Sequence, residues 1–457
     1  RARRPGKFRG PARCRMRLSC CARRRPQLQG CDASPGGQWR LGHEPRSVPV
    51  YCFPEEADRS VGSWTGGEQR GSVQKRGRQG TCEFFRLPRL LPVREVERVL
   101  AHVRRYASYE TDADSVDSSP TFEYYPLRDG RWLDEELRPL LEGFVQERLL
   151  PYVRERYGRS TCAVADVLVR RYLPGERRTH AVHFDGHALV TAVLGLSDPS
   201  EYQGGLYLQP EAHASSRLFF RIEPGDLVLH SFDLQHGVFL WSGVRYSLVF
   251  WIKDSPESVR EGTAPWYDDL VKAGDADALY NVAQDHELGI CGRAPDLARA
   301  MGLYEESAKL GHHFAQHNLS KLLFLAHEHD EGPEGRKKAA AWMRASAEQG
   351  FALAQKSYAL ILVSGQGVQE DAAQAAAWMS RAAEQLELEA AFYMGDFYQH
   401  GCGLPRDMQQ AVRWYACSAE AGLPQAQCAL GVLYLEGRGV AKDLGLAERW
   451  LGRAAEQ

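Results

Sequence analysis

Apolar positions along the chain fall into three regimes. In the stretch "CEFFRLPRLLPVREVERVLAHVRRY", Val93, Val96, Val99, Leu100 and Val103 recur at helical spacing after Pro92, a residue suited to a first helical turn. A second helix is predicted across "WLDEELRPLLEGFVQERLLPYVRERY". It should bend or break near Pro139 and Pro151, because proline lacks an N–H and its ring crowds the turn before it. Between Ala165 and Lys253 the period shortens. "ADVLVRRYL", "ALVTAVLGL", "GGLYLQP", "SRLFFRI", "GDLVLH" and "RYSLVFWI" are short, rich in β-branched and aromatic residues, and separated by Gly, Pro, Asp or Ser. They predict an all-β core of barrel or sandwich type behind two helices.

After Pro256 the pattern repeats. Trp342, Trp378, Trp414 and Trp450 stand 36 residues apart, each inside a frame such as "AAWMRASAEQG" or "AAWMSRAAEQL". A Gly-x-Gly turn and an LY-type helix precede the later ones, as in "ALGVLYLEGRGVAKDLGLAERW". A fixed period of this size predicts an all-α solenoid of stacked helix pairs, with the tryptophans in its core. These units resemble Sel-one-like repeats, a tetratricopeptide-like family, over residues 273–457 in about five copies. The unit at 315–350 departs from the frame, with "HEHDEGPEGRKK" in place of the Gly-x-Gly turn, and the first unit has Tyr304 where Trp is expected. A concave solenoid face implies a protein partner.

Residues 1–80 show no sustained apolar period and read as a disordered basic tail. They carry 18 Lys+Arg against 6 Asp+Glu, a balance of +12. With the whole chain at −2, the remainder carries −14. The tail has no interleaved aromatics of the kind that stack on bases, so nucleic acid is not the expected partner. Three regions follow: a tail at 1–80, a β-rich domain at 81–256 and a solenoid at 257–457. The eleven cysteines form no CxxC pair, which points to a reducing compartment such as the cytoplasm. No apolar run is long enough to span a bilayer. The chain begins at Arg1, which leaves room for a preceding targeting segment.

The candidate chemistry lies in "HAVHFDGHA", residues 180–188. Residues two apart on a strand share a face, so His183 and Asp185 point together. A third ligand must come from elsewhere, and His230 and His236 are the candidates in "GDLVLHSFDLQHGVFLWSGVRYSLVFW". The arrangement HxD, then HGV, then G-x-R-x-S-L resembles the 2-oxoglutarate- and Fe(II)-dependent dioxygenases, in particular their prolyl-4-hydroxylase-like branch, over residues 82–254.

The resemblance implies a double-stranded β-helix (jelly-roll) barrel with flanking helices. It makes His183, Asp185 and His236 the Fe(II) ligands, with His230 behind them or in the core. Arg245 would fork the far carboxylate of 2-oxoglutarate, Ser247 would add a hydroxyl on the same strand face, and Tyr172 matches a position used for the cosubstrate. The implied reaction consumes O2 and 2-oxoglutarate and hydroxylates a C–H bond of a peptidyl, prolyl-type substrate, with L-ascorbate as the reductant that rescues oxidised iron. His180, His187 and His213 read as surface or core. Two alternatives are a nucleic-acid repair dioxygenase, in which a second Arg would stand where this chain has Trp251, and a repeat adaptor with an inert barrel.

Overall fold

The computed structural model describes residues 68–74, 81–110, 121–174, 176, 178–326 and 333–455. The expected basic tail lies outside these residues except at its end. There Gln69–Gln74 forms strand β1 and pairs with β2 (Thr81–Leu87), so the reading of residues 1–80 as unpacked is corrected at residues 69–74. Helix α1 (Val93–Tyr106) follows Pro92 and buries Val96, Val99 and Val103. Strands β3 (Glu123–Arg128) and β4 (Arg131–Trp132) come next.

The second predicted helix is built in pieces. Helix α2 (Arg138–Phe144) runs through a π-helical stretch, Val145–Leu149, into α3 (Leu150–Tyr157). Pro139 sits in the first turn of α2, where a missing N–H costs least, and Pro151 follows the π stretch, whose wider turn accommodates its ring inside the continuing helix.

Strands β5 (Ala163–Tyr172), β6 (Thr179–His183), β7 (Val190–Gly195), β8 (Tyr202–Leu208), β9 (Leu218–Phe219), β10 (Leu227–Ser231), β11 (His236–Gly243) and β12 (Arg245–Lys253) complete the β-rich region. One antiparallel sheet of eight strands has the order β1-β2-β10-β7-β12-β5-β3-β4, and a second of four has the order β6-β11-β8-β9. Among the described residues neither sheet closes on itself. Where a jelly-roll barrel was expected, the structure has two open sheets whose ends include the two-residue strands β4 and β9.

Period-two alternation decides what each face of the larger sheet touches. Val167 and Val169 of β5 and Leu248, Phe250 and Ile252 of β12 join Val99, Leu141 and Phe144 of the helices in one apolar cluster. The intervening Leu168, Val193, Val228 and Val249 pack instead with Leu206, Leu208, Val238 and Leu240 of the smaller sheet. Residues 245, 247, 249 and 251 of β12 thus look into the space between the sheets.

Two short helices, α4 (Pro256–Glu261) and α5 (Tyr267–Lys272), lead to five helix pairs. The pairs are α6 (Ala276–Leu288) with α7 (Leu297–Lys309), α8 (His313–Ala326) with α9 (Pro333–Glu348), α10 (Ala352–Ser364) with α11 (Ala372–Glu384), α12 (Leu388–His400) with α13 (Met408–Glu420), and α14 (Pro424–Glu436) with α15 (Leu444–Ala455). The Gly-x-Gly turns have two jobs. Gly365, Gly401 and Gly437 end helices in the left-handed conformation. Gly403 lets the turn press on the preceding unit, since a Cβ there would fall 1.9 Å from the Ala372 carbonyl oxygen.

Two expectations about the solenoid are corrected. Of the four tryptophans only Trp450 lies in the core as expected: Trp342, Trp378 and Trp414 are half-buried against it, while the next residues, Met343, Met379 and Tyr415, are almost fully buried. A wide indole at the edge of the pair carries a cation over its face, as Arg381 does over Trp378 at 4.6 Å. Nor is the solenoid separate from the β-rich region. One apolar cluster runs from Phe85 through Tyr280 and Phe314 to Phe397, and only α13, α14 and α15 centre on a separate cluster of their own.

Candidate metal centre

His183 ends β6 and His236 begins β11, and the antiparallel register sets them opposite each other. The register shifts just after His236. Gly237 is needed there because a Cβ would lie 2.5 Å from the Tyr207 hydroxyl and 2.7 Å from the His180 carbonyl oxygen. Asp185 sits in the turn after β6, which closes through Ala188 N–H donating to the Asp185 carbonyl at 3.0 Å. His183 Nε2 is 3.4 Å from Asp185 Oδ1, and His236 Nε2 is 3.3 Å from Asp185 Oδ2. One donor atom from each of His183, Asp185 and His236 lies within 4.8 Å of the others, the one such grouping among the described residues.

The neighbours fix the donor atoms. His183 Nδ1 lies 2.8 Å from the Ala181 carbonyl and His236 Nδ1 3.3 Å from that of Leu234. A proton on each Nδ1 leaves both Nε2 lone pairs turned to the common point, the arrangement a metal-binding histidine requires. Thr191 donates to Asp185 Oδ2 at 2.6 Å, and the Trp251 indole N–H donates to the same oxygen at 3.3 Å. Burial alone would raise the Asp185 carboxyl. The adjoining His236 and His183 outweigh it and hold the group well below the usual carboxylate range. Burial pushes His236 below its ordinary value and His230 down to about 3. An ionised carboxylate beside a neutral imidazole is the state in which such groups take up a divalent cation. Two imidazoles and one carboxylate on one face suit Fe(II).

A narrow cavity beside the triad is lined by Thr191, Arg170, Arg245, Ser247 and Trp251. Arg245 is 2% exposed; its Nη1 donates to Ser247 Oγ at 3.2 Å, while Nη2 is buried without a partner. That unused donor fits an anionic group in the cavity. Tyr172, paired with Arg245 in register, lies under the guanidinium, 5.9 Å from ring centre to Cζ, and lines the apolar cluster rather than the cavity.

Reading the histidines from sequence missed several neighbours. Of the surface-or-core alternatives, His180 is buried and His187 half-buried: the first meets His183 edge-on at 4.2 Å, and the second meets Trp251 edge-on at 4.2 Å. His230 is fully buried, its ring 4.2 Å from that of His236. His213 is exposed and caps a short turn. Thr191, Arg170 and Trp251 were passed over. Trp251 could have been found by extending the every-second-residue pattern from Arg245 and Ser247, and Thr191 as the polar residue in an apolar strand.

The triad also opens on a second cavity, of about 410 Å³, whose far wall belongs to the solenoid. His183, Asp185 and Trp251 face Tyr280, Asn281 and Phe314 across it. A third, of about 330 Å³, continues along β6 and shares His317, Lys321, Phe351 and Leu353 with the second. Together they make one long cleft between the smaller sheet's edge strand β6 and the helices.

Among known families, the Sel1 repeat matches residues 276–312, 313–351, 352–385, 388–423 and 424–457. These are the five helix pairs. No curated protein matches the chain. Among solved structures, the chain is similar to a protective antigen of uropathogenic Escherichia coli with an SLR fold, at 26% identity and a TM-score of 0.39. That likeness covers 42% of this chain and 40% of the antigen, so the chain spans well under half of the antigen's length. A Sel1 repeat protein from Oxalobacter formigenes gives the same identity and score over 42% of this chain and 77% of its own. An oxidoreductase of the 2OG-Fe(II) oxygenase family from Burkholderia pseudomallei is 18% identical over 37% of this chain and 85% of its own, with a TM-score of 0.32.

Proposed function

We propose that this chain is a 2-oxoglutarate- and Fe(II)-dependent dioxygenase that hydroxylates a C–H bond of a polypeptide, of prolyl type, with its two sheets forming a double-stranded β-helix. The observation that carries the reading is the convergence of His183, Asp185 and His236 beside a buried, part-partnered Arg245. Residues 81–256 form the catalytic region on this reading and the solenoid from 257 on binds protein. Bound iron supplies the site for O2 activation coupled to decarboxylation of 2-oxoglutarate to succinate, with ascorbate as its reductant.

The chain's own residues do the rest. Their Nδ1 contacts orient His183 and His236, and Thr191 and Trp251 hold the Asp185 carboxylate in one rotamer. Arg245 and Ser247 bind the distal carboxylate of the cosubstrate, a charge-assisted contact in a dry pocket. The cleft along β6 receives the polypeptide. Phe184, Phe314 and Phe351 give it an apolar wall, and an edge strand suits an extended chain. Trp251 donates to Asp185, which leaves no arginine at the position a nucleic-acid repair enzyme would use.

Succinate release by the full chain, with Fe(II), 2-oxoglutarate and ascorbate under air, tests this. Turnover is expected without added peptide at a low rate, rising with a suitable prolyl peptide, and absent in Asp185→Ala. No succinate under any of these conditions would leave the inert-adaptor reading.

A further inference from the structure

The two residues that flank the metal carboxylate are both held by the solenoid. On one side of Asp185, Phe184 stacks on His312 with ring centres 5.9 Å apart and planes 28° apart. It also packs on Tyr280 at 5.9 Å and Phe314 at 5.7 Å. His312 is itself fixed by Asp277, Nε2 to Oδ1 at 3.0 Å. On the other side, Gly186 is pressed by α5 and α6. A Cβ there would lie 2.7 Å from Asn281 Oδ1, 3.2 Å from its Cγ and 3.3 Å from the Tyr267 hydroxyl. Asn281 cannot easily move away. It is 1% exposed, and its Nδ2 donates to the Asp277 carbonyl at 2.9 Å.

We propose that α5, α6 and the start of α8 are the positioning device for the metal carboxylate: Phe184, Gly186 and Asn281 set where Asp185 stands, so the first two repeats complete the metal centre. The inference rests on the metal reading above. Its physical basis is that a ligand in a turn has no strand ladder to hold it, whereas His183 and His236 are ladder residues. Asp185 takes its position from Thr191 and Trp251 on one side and from the clamp on residues 184 and 186 on the other. A partner seated on the first repeats would then act on the metal centre through this clamp. These are positioning residues, and none touches the reacting atoms.

The test is anaerobic titration of the full chain with Co(II), followed by the visible ligand-field bands, with thermal unfolding measured beside it. Wild type should bind one Co(II). Gly186→Ala should weaken binding roughly 10- to 100-fold, the range seen when groups that orient metal ligands are lost, and should alter the band pattern. The second variant guards against a mere folding defect. Asn281→Ala removes the nearest atoms that a new Cβ would strike but also the clamp's own side chain, so Gly186→Ala/Asn281→Ala should bind more tightly than Gly186→Ala yet short of wild type, and Asn281→Ala alone should weaken binding without lowering the unfolding temperature in proportion. Wild-type-like affinity and bands in Gly186→Ala would overturn the clamp while leaving the metal reading intact. So would a double variant no better than Gly186→Ala. No Co(II) binding by wild type would overturn the metal reading and the clamp with it.

Discussion

Replacing Arg245 with Met should separate cosubstrate binding from both stability and metal binding. The guanidinium is 2% exposed, with Nη1 on Ser247 and Nη2 idle. In the free protein an idle buried donor is a cost of about 1–3 kcal/mol, set against the hydrogen bond to Ser247 and the contact with Tyr202. Met matches the length of the apolar stem. The free protein should therefore change in stability by less than about 1 kcal/mol in either direction. When a dianion enters the cavity the balance changes. Two charge-assisted hydrogen bonds at about 1.5–3 kcal/mol each amount to roughly 3–6 kcal/mol, or about two to four decades in Kd. Lys at the same position keeps the charge but loses the fork, and should fall between.

The assay is equilibrium dialysis of labelled 2-oxoglutarate with Mn(II) in place of iron, with Mn(II) affinity and chemical denaturation measured on the same samples. Loss of less than tenfold in 2-oxoglutarate affinity would refute the assignment of Arg245. An equal loss of Mn(II) and 2-oxoglutarate binding with a fallen unfolding midpoint would mean that Arg245 supports the fold.

Three further outcomes follow from the geometry. Thr191→Val keeps the shape and removes the donor at 2.6 Å from Asp185 Oδ2, so Co(II) should bind roughly 10- to 100-fold more weakly in anaerobic titration, with the fold intact. Burial raises the Asp285 carboxyl to about 6 despite Cys291 and Arg293. Its contribution to stability is therefore full below its unfolded value and is lost as pH rises through about 6, so Asp285→Asn should gain up to about 3 kcal/mol over wild type between pH 4 and pH 8 in denaturant titrations. Gly403→Ala should destabilise by more than about 1 kcal/mol in thermal unfolding, because φ is +69° and the new Cβ would meet the Ala372 carbonyl.

How much of this was legible beforehand depended on how local the cause was. The helix after Pro92 and half of the twelve strands followed from short-range periodicity. His183, Asp185, His236, Arg245 and Ser247, which the structure brings close together, stood out because the pattern around them is unusual. Strands β1, β2, β3 (Glu123–Arg128), β4 and β11 (His236–Gly243) were not read as strands, and the strand expected to carry both His183 and Asp185 ends at His183, with Asp185 in the turn after it. "THAVH" offers two apolar residues, and β11 begins at a histidine. The exchange of roles between Trp342, Trp378 and Trp414 and their successors was hidden too, since adjacent residues on a helix differ by about 100° and the sequence does not say which faces the next pair. Least visible was the junction. Phe184 and Tyr280 are 96 positions apart, and nothing in either segment signals that they meet.

The inner face of the larger sheet gives the strongest physical reason to read a site there. Where two sheets pack, the positions between them are ordinarily apolar, and this one obeys the rule at Leu168, Val193, Val228 and Val249. At the other positions of the same strands stand Arg170, Thr191, Arg245, Ser247 and Trp251, facing two histidines and an aspartate. A cluster of valines and leucines would fill that volume without unmet hydrogen bonds, whereas the residues present leave Arg245 Nη2 and His230 Nε2 buried and idle. An arrangement that lowers stability at one end of an otherwise apolar interface is what a binding site costs a fold. It lies where the turn bearing Asp185 meets the solenoid, so the polar end of the inter-sheet face is also the part that the helices grip.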